Sequence, residues 1–191
     1  MAEKPILLIF FLNVVGLFFL FLTIYYYISP FLLLFTAKLV NFVLTGWFEK
    51  FIASVSLLNR EIEVITWFSI AGSKMSQLAF DINPLKYSYG LPLFFALIFS
   101  YGGEPIDKLL KCILAYLVIS CAQVWGISFD IIRHLLFEFS SAYAAHFNFS
   151  SLQILLISYG SQLGFLLLPS LTPILLWIYL ENKKFNSLIN K

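Results

Sequence analysis

Gln123, Asp130, Arg133 and His134 are the residues of this sequence whose types and spacing could do chemistry, and all four lie in one apolar segment. If that segment is helical, Asp130 meets Arg133 at i, i+3 and His134 at i, i+4, with Gln123 on roughly the same side. Ionisable groups inside a bilayer are costly and often mark proton relays or substrate sites. The same spacing also suits a self-neutralised Asp130–Arg133 pair at the membrane boundary, which would hold a helix end and dock a neighbour. We prefer this plainer role, with the four residues as candidate polar or partner contacts. Cysteine chemistry fails on distance. Cys121 and His134 are thirteen residues apart, about 20 Å along one helix, whereas a nucleophile and its base need about 3 Å. Cys112 is farther away. His146 could fold back from a loop, but Cys121 would then lie near mid-bilayer. The two cysteines stand nine apart, about 13.5 Å on a helix, too far for a disulfide. The two histidines are twelve residues apart, with no His-x-x-x-His or Cys-x-x-Cys, so no metal is assigned. No nucleophile elbow, phosphate loop or dinucleotide loop is present. We assign no catalytic residue and no cofactor.

Two further groups of residues suggest contacts rather than reactions. Gly160-Ser-Gln162-Leu-Gly164 places small residues one turn apart in an apolar segment, a common helix-packing signal. With Gly126 it is expected to mark close helix contacts, within one chain rather than between two. Gln162 could hydrogen-bond across to Gln123 or Asp130. Gln77, Asp81 and Asn83 gather before Pro84, with Lys86 and Tyr87 following. They read as a polar junction that satisfies backbone groups around the proline; the sharper alternative is a docking site for a partner's loop. Asn148-Phe-Ser150 fits the glycosylation sequon, which is weak evidence alone.

The elements that must position these residues belong to a membrane. Ile6 to Ile28 is an uncharged run of 23 residues; as a helix it reaches about 34 Å, enough to cross a hydrocarbon core of about 30 Å. Hydrophobic residues make up 61% of the 191 and mean hydropathy is +0.91. Charged residues are 12%, about half of what a soluble domain carries. The net charge of +2 is scattered, which gives no basic surface for nucleic acid. The first run lacks a small-x-small site and ends in Tyr25-Tyr26-Tyr27, so it is expected to be an uncleaved anchor with its rings at the interface.

Ser29-Pro30 is expected to end that span and to start an interfacial helix over 30–51, whose Lys38, Asn41, Thr45 and Glu49 form a narrow polar stripe. Ala53–Leu58 and Glu61–Ile70 alternate like strands around Asn59-Arg60, which predicts a small β-hairpin outside the bilayer over 53–70. Further spans are expected over 85–101, 109–127 and 152–180, the last kinked or tilted by Gly160, Gly164, Pro169 and Pro173. The fold class is thus an all-α polytopic membrane protein, one domain over 1–191, with four transmembrane helices, an interfacial helix and an extracytoplasmic hairpin. Five spans, with Phe31 to Leu44 crossing, is the rival. Four spans put Lys4, Lys108, Lys111, Lys183, Lys184 and Lys191 on one side, in about 25 loop residues against about 75 on the other, so both termini are expected in the cytoplasm.

Several longer pieces carry a resemblance. Gln77-Leu-Ala-Phe80 is followed by Asn83-Pro84 and by Tyr87-Ser-Tyr89-Gly90-Leu91-Pro92-Leu93. Gln123-Val-Trp125-Gly126-Ile-Ser-Phe129-Asp130 comes next, then Tyr159-Gly-Ser-Gln162-Leu-Gly164 with Pro169, Pro173 and Trp177. Their order and spacing resemble the exosortase H-associated membrane proteins of bacteria, over most of the chain and most clearly from Gln77 onward. The resemblance implies a multi-pass protein of the bacterial inner membrane that accompanies a polytopic sorting enzyme, an exosortase, which processes secreted proteins with a C-terminal sorting signal. The chain lacks that enzyme's own Cys, Arg and His on separate helix ends. The expected function is therefore a non-enzymatic accessory protein whose partners are the lipid bilayer and such an enzyme. The alternative is a small channel or transporter component using Gln123, Asp130 and Gln162; an intramembrane enzyme using Asp130 and His134 has the least support.

Overall fold

The computed structural model describes residues 4–69, 77–138 and 149–182. Ile70, the loop expected at 71–74, His146, the Asn148 sequon and the basic tail from Lys183 lie outside the described residues. The first finding is a correction. α1 (Lys4–Trp47) is a single helix of 44 residues with Pro30 inside it, so no break occurs at Ser29-Pro30 and no separate helix forms over 30–51. Proline removes the N–H that would pair with the carbonyl four residues back. Here the Ser29 hydroxyl donates to that carbonyl, Tyr26 O, at 2.9 Å, so the helix continues. At about 66 Å, α1 is more than twice as long as a hydrocarbon core is thick.

A three-stranded antiparallel sheet follows: β1 (Ile52–Leu58), β2 (Glu61–Ser69) and β3 (Gln77–Ile82), in the order β1-β2-β3. The first two strands form the expected hairpin, with Leu58 opposite Glu61. Asn59 and Arg60 both adopt positive φ, 48° and 76°, as a two-residue primed turn requires. β3 was not foreseen, because its six residues read as a polar junction. A lone hairpin is marginal in water; this sheet is supported on a helical floor. Ile52, Val55, Ile62, Val64 and Ile82 bury against Val40 and Leu44 of α1 and against Ile127, Ile131 and Leu135 further along the chain. The stripe residue Asn41 faces the sheet, accepting a hydrogen bond from Val55 N–H at 2.8 Å.

The rest is helical. A 3₁₀ turn (Pro84–Tyr87) leads to α2 (Gly90–Phe99), then α3 (Pro105–Phe137). α4 (Ser151–Gln162), a π turn (Leu163–Leu167) and α5 (Leu168–Leu180) run on as one rod. Pro169 cannot donate to the Phe165 carbonyl, and the turn before it widens so that Leu168 N–H reaches Leu163 O. Among the described residues, three helices are long and apolar enough to cross a membrane: 8–47, 105–137 and 151–180. The span expected over 85–101 is not one of them, because Ser88-Tyr89 separates the 3₁₀ turn from a helix of only ten residues, about 15 Å long. Burial of the most apolar window is 44% in α3 but 11% in α1, so α3 is the central helix and α1 lies along its flank. A second core joins Val14 and Tyr25 of α1, Leu91, Phe94 and Leu97 of α2, Ala115 and Ile119 of α3, and Trp177 of α5.

Candidate functional site

Asp130 lies two turns before the end of α3, and two other elements, the 3₁₀ turn and α4, converge on it. Asn83 ends β3 and caps the 3₁₀ turn, its Oδ1 accepting from Leu85 N–H at 2.9 Å. That turn delivers Lys86, whose Nζ lies 2.7 Å from Asp130 Oδ2. Arg133 reaches the other oxygen through Nε at 3.2 Å and Nη2 at 3.1 Å. The Ser161 hydroxyl of α4 donates to it at 3.4 Å. The Asp130 side chain is 2% exposed, while Lys86 and Arg133 are each 34% exposed, so both cations keep contact with the surroundings and the acid does not. His134 extends the row, with Nδ1 at 2.5 Å from Glu138 Oε2. A proton on Nδ1 serves that bond and leaves Nε2 to accept from Arg133 Nη2 at 3.3 Å. Apart from His134, the row sets two cations, Lys86 and Arg133, against two carboxylates, Asp130 and Glu138. Beside it is a cavity of about 300 Å³ lined by Lys86, Tyr87, Asp130, Arg133, Ser161, Gln162 and Phe165.

Glycine sets how closely the helices approach here. A Cβ on Gly164 would collide with the Gly126 Cα, and one on Gly126 would come within 3.1 Å of Gly164 O and 2.7 Å of the Tyr87 ring. The π turn and α3 therefore touch backbone to backbone, one turn from Asp130. Gly160 packs against the Phe129 ring, and Trp125 Nε1 donates to Gly160 O at 3.3 Å.

The matched family covers all of this architecture. A family described as exosortase H-associated membrane proteins matches residues 5–184. The chain belongs to this family. No curated protein and no solved structure matches the chain. The matched stretch of this family member includes α1, the sheet, the Asp130 row and the glycine contact.

The sequence-predicted residues part into three places. Asp130, Arg133 and His134 stand together, and Gln162 lines their cavity. Gln123 does not join them. It sits two turns away on α3, buried, where its Oε1 accepts from Thr36 Oγ of α1 at 3.0 Å. Ser161, not Gln162, bonds Asp130. Gln77 and Asp81 lie exposed on β3, with Asp81 paired across the strands to Glu63, and only Asn83 acts at the junction. α3 is unbroken from Pro105 to Phe137, which holds Cys121 and His134 about 20 Å apart. Among the described residues no three His, Cys, Asp or Glu side chains are placed to hold a metal ion. Sequence reasoning missed Lys86, Ser161 and Glu138. The signal for Lys86 was available: a buried acid needs more than one partner, and Lys86 follows the proline of the junction. Glu138 stands at i+4 from His134, a spacing open to the same helix argument.

Proposed function

We propose that this chain is a non-enzymatic accessory protein of an exosortase-type protein sorting system, held in the bacterial inner membrane with both termini in the cytoplasm. The fourth crossing this needs is the short α2 segment, which runs from Lys86 at the Asp130 end of α3 to Tyr101, whose carbonyl accepts from Lys108 Nζ at the first end of α3. The observation that carries this reading is the family match over residues 5–184, whose description names association with exosortase H. The arrangement of the chain supports it in two ways. The Asp130 row ties the 3₁₀ turn, α3 and α4 together, which suits a scaffold. The sheet turns Glu61, Glu63 and Asp81 away from its buried face and offers a polar, acidic surface outside the bilayer. In the proposed orientation this surface faces the compartment where secreted proteins are processed, and it would dock the sorting enzyme while the apolar helices pack beside that enzyme's spans.

Affinity purification from native membranes in mild detergent, with mass spectrometry of what accompanies the chain, tests the reading. Stoichiometric recovery of a polytopic sorting enzyme is expected, and Glu63→Lys with Asp81→Lys should weaken it. Recovery of the chain alone would remove the partner. Orientation is tested separately. With Cys112 and Cys121 replaced by Ala, a cysteine introduced at Glu63 should react with a membrane-impermeant maleimide in cells whose outer barrier has been opened. Protection until the inner membrane is lysed would reverse the topology.

A further inference from the structure

A second cavity lies on the opposite flank of α4. It is a lateral cleft of about 510 Å³ between the end of α1, the middle of α3 and the start of α4. Trp47, Cys121, Val124, Trp125, Phe149 and Leu156 are among its walls. Along α3 it runs from Cys121 to Ile132, about 16 Å, which is one leaflet's share of a hydrocarbon core of about 30 Å. Volume over length gives a cross-section of about 30 Å². An α-helix about 10 Å across needs about 80 Å² and does not fit. A polymethylene chain, with carbon contacts near 4 Å, needs about 20 Å² and does.

The polar groups fit the same occupant. Ser128 lines the cleft, is 6% exposed and has an Oγ with no hydrogen-bond partner. An unpaired hydroxyl in an apolar wall is costly, and it offers one donor in an otherwise hydrocarbon groove. Ser128 stands two residues before Asp130, at the end of α3 where its charges begin. Trp47, 82% exposed, and Gln153 stand at that same end, as interfacial side chains do.

We propose that this cleft binds one acyl chain of a phospholipid from the leaflet on the sheet side, with the first half of the tail running to Cys121 and the ester carbonyl accepting a hydrogen bond from Ser128 Oγ. The inference is independent of any partner enzyme. The test uses the purified full chain in vesicles of phosphatidylethanolamine and phosphatidylglycerol, doped with a phosphatidylethanolamine carrying a diazirine midway along one acyl chain. After irradiation, peptide mapping should find labelling concentrated on Cys121–Val124, above that on the openly exposed Leu109–Leu117 face of the same helix. Ser128→Phe and, as a second filling variant, Val124→Phe should remove the excess and leave the open face labelled as before. Ser128→Ala should reduce it about fivefold, the effect of one lost hydrogen bond. Labelling no stronger in the cleft than on the open face would overturn the proposal. So would an excess that survives both filling variants.

Discussion

The two ends of α3 hold their charges in opposite arrangements. At the first end the helix supplies the base: Lys111 Nζ lies 2.6 Å from Asp107 on its own first turn and 2.6 Å from buried Glu181 at the end of α5. At the second end the helix supplies the acid, and Lys86, Arg133 and Ser161 come to it. About 28 Å separate Lys111 from Asp130, close to the thickness of a hydrocarbon core. Both rows therefore fit the boundaries of one bilayer, and each ties α3 to the last rod. Asp107 in the first turn also stands where the helix dipole favours it. Asp130 gains nothing from the dipole and depends on its partners. The lesson is that the first end is a fastening that shares its lysine between two acids, while the second gathers several elements around a single acid.

Removing that acid should show the contrast at its largest. Asp130→Ala leaves two cations without their carboxylate. Breaking a buried pair costs about 3–5 kcal/mol, and because Lys86 and Arg133 are a third exposed we expect about 3 kcal/mol. Glu181→Ala leaves Lys111 with Asp107, so no charge is stranded, and should cost about 1.5 kcal/mol, the loss of one hydrogen bond to a charged group. Unfolding in detergent, followed by tryptophan fluorescence, measures both. Equal losses would break the asymmetry.

Between the two ends the chain relies on shape rather than charge. Gly164→Ala drives a methyl into the Gly126 backbone and should cost about 2 kcal/mol, in the range of core overpacking. Gly160→Ala meets the edge of the Phe129 ring, which can turn, and should cost about 1 kcal/mol or less. Gly16, with nothing within 4 Å, should accept alanine without loss. The same unfolding assay ranks the three; a Gly160 variant worse than the Gly164 variant would mean that the rods meet elsewhere.

Much of this was legible in the sequence, and the exceptions have physical causes. The apolar runs marked α1, α3 and the last rod, because burial in lipid imposes length and hydropathy on them. The Asp130–Arg133–His134 spacing is local to one helix and needed no tertiary knowledge. The hairpin was legible through its alternation and through Asn59-Arg60. What was missed depends on contacts distant in sequence. Pro30 reads as a break unless Ser29 is known to satisfy the Tyr26 carbonyl. β3 is short and polar on one face, and only its pairing with β2 makes it a strand. Lys86 and Ser161 lie 44 and 31 positions from Asp130, beyond any periodicity argument. Gln123 shared a helix face with Asp130 by spacing, yet α1 packs there and claims its amide through Thr36.

That amide gives the next contrast, since it is a neutral contact between α1 and α3 rather than an ionic one. Thr36→Val keeps the shape and removes the donor to Gln123 Oε1. The carbonyl is then buried without a partner, which costs about 1–2 kcal/mol. Thr36→Ser should restore most of the loss in the same assay. If Thr36→Val is neutral, this amide adds nothing and α1 is held to α3 by its other contacts, among them the Tyr116 hydroxyl donating to Leu32 O at 2.9 Å.

The smallest effect concerns a cation held by a ring instead of a carboxylate. The Arg60 guanidinium lies 4.4 Å from the centre of the Tyr26 ring, fastening the hairpin turn to the middle of α1. The contact is set against backbone strain, because Arg60 has φ of 76° and a non-glycine residue there costs about 1 kcal/mol. Arg60→Gly removes the strain and the contact together. A cation–π pair at an exposed site contributes about 0.5–1 kcal/mol, so the two terms nearly cancel and the net change should stay within about 0.5 kcal/mol. A double-mutant cycle with Tyr26→Leu separates them. Arg60→Gly should be stabilising when Tyr26 is already leucine and close to neutral when it is not. Equal effects in both backgrounds would mean that the ring contributes nothing, and the hairpin would then rest on its buried face alone.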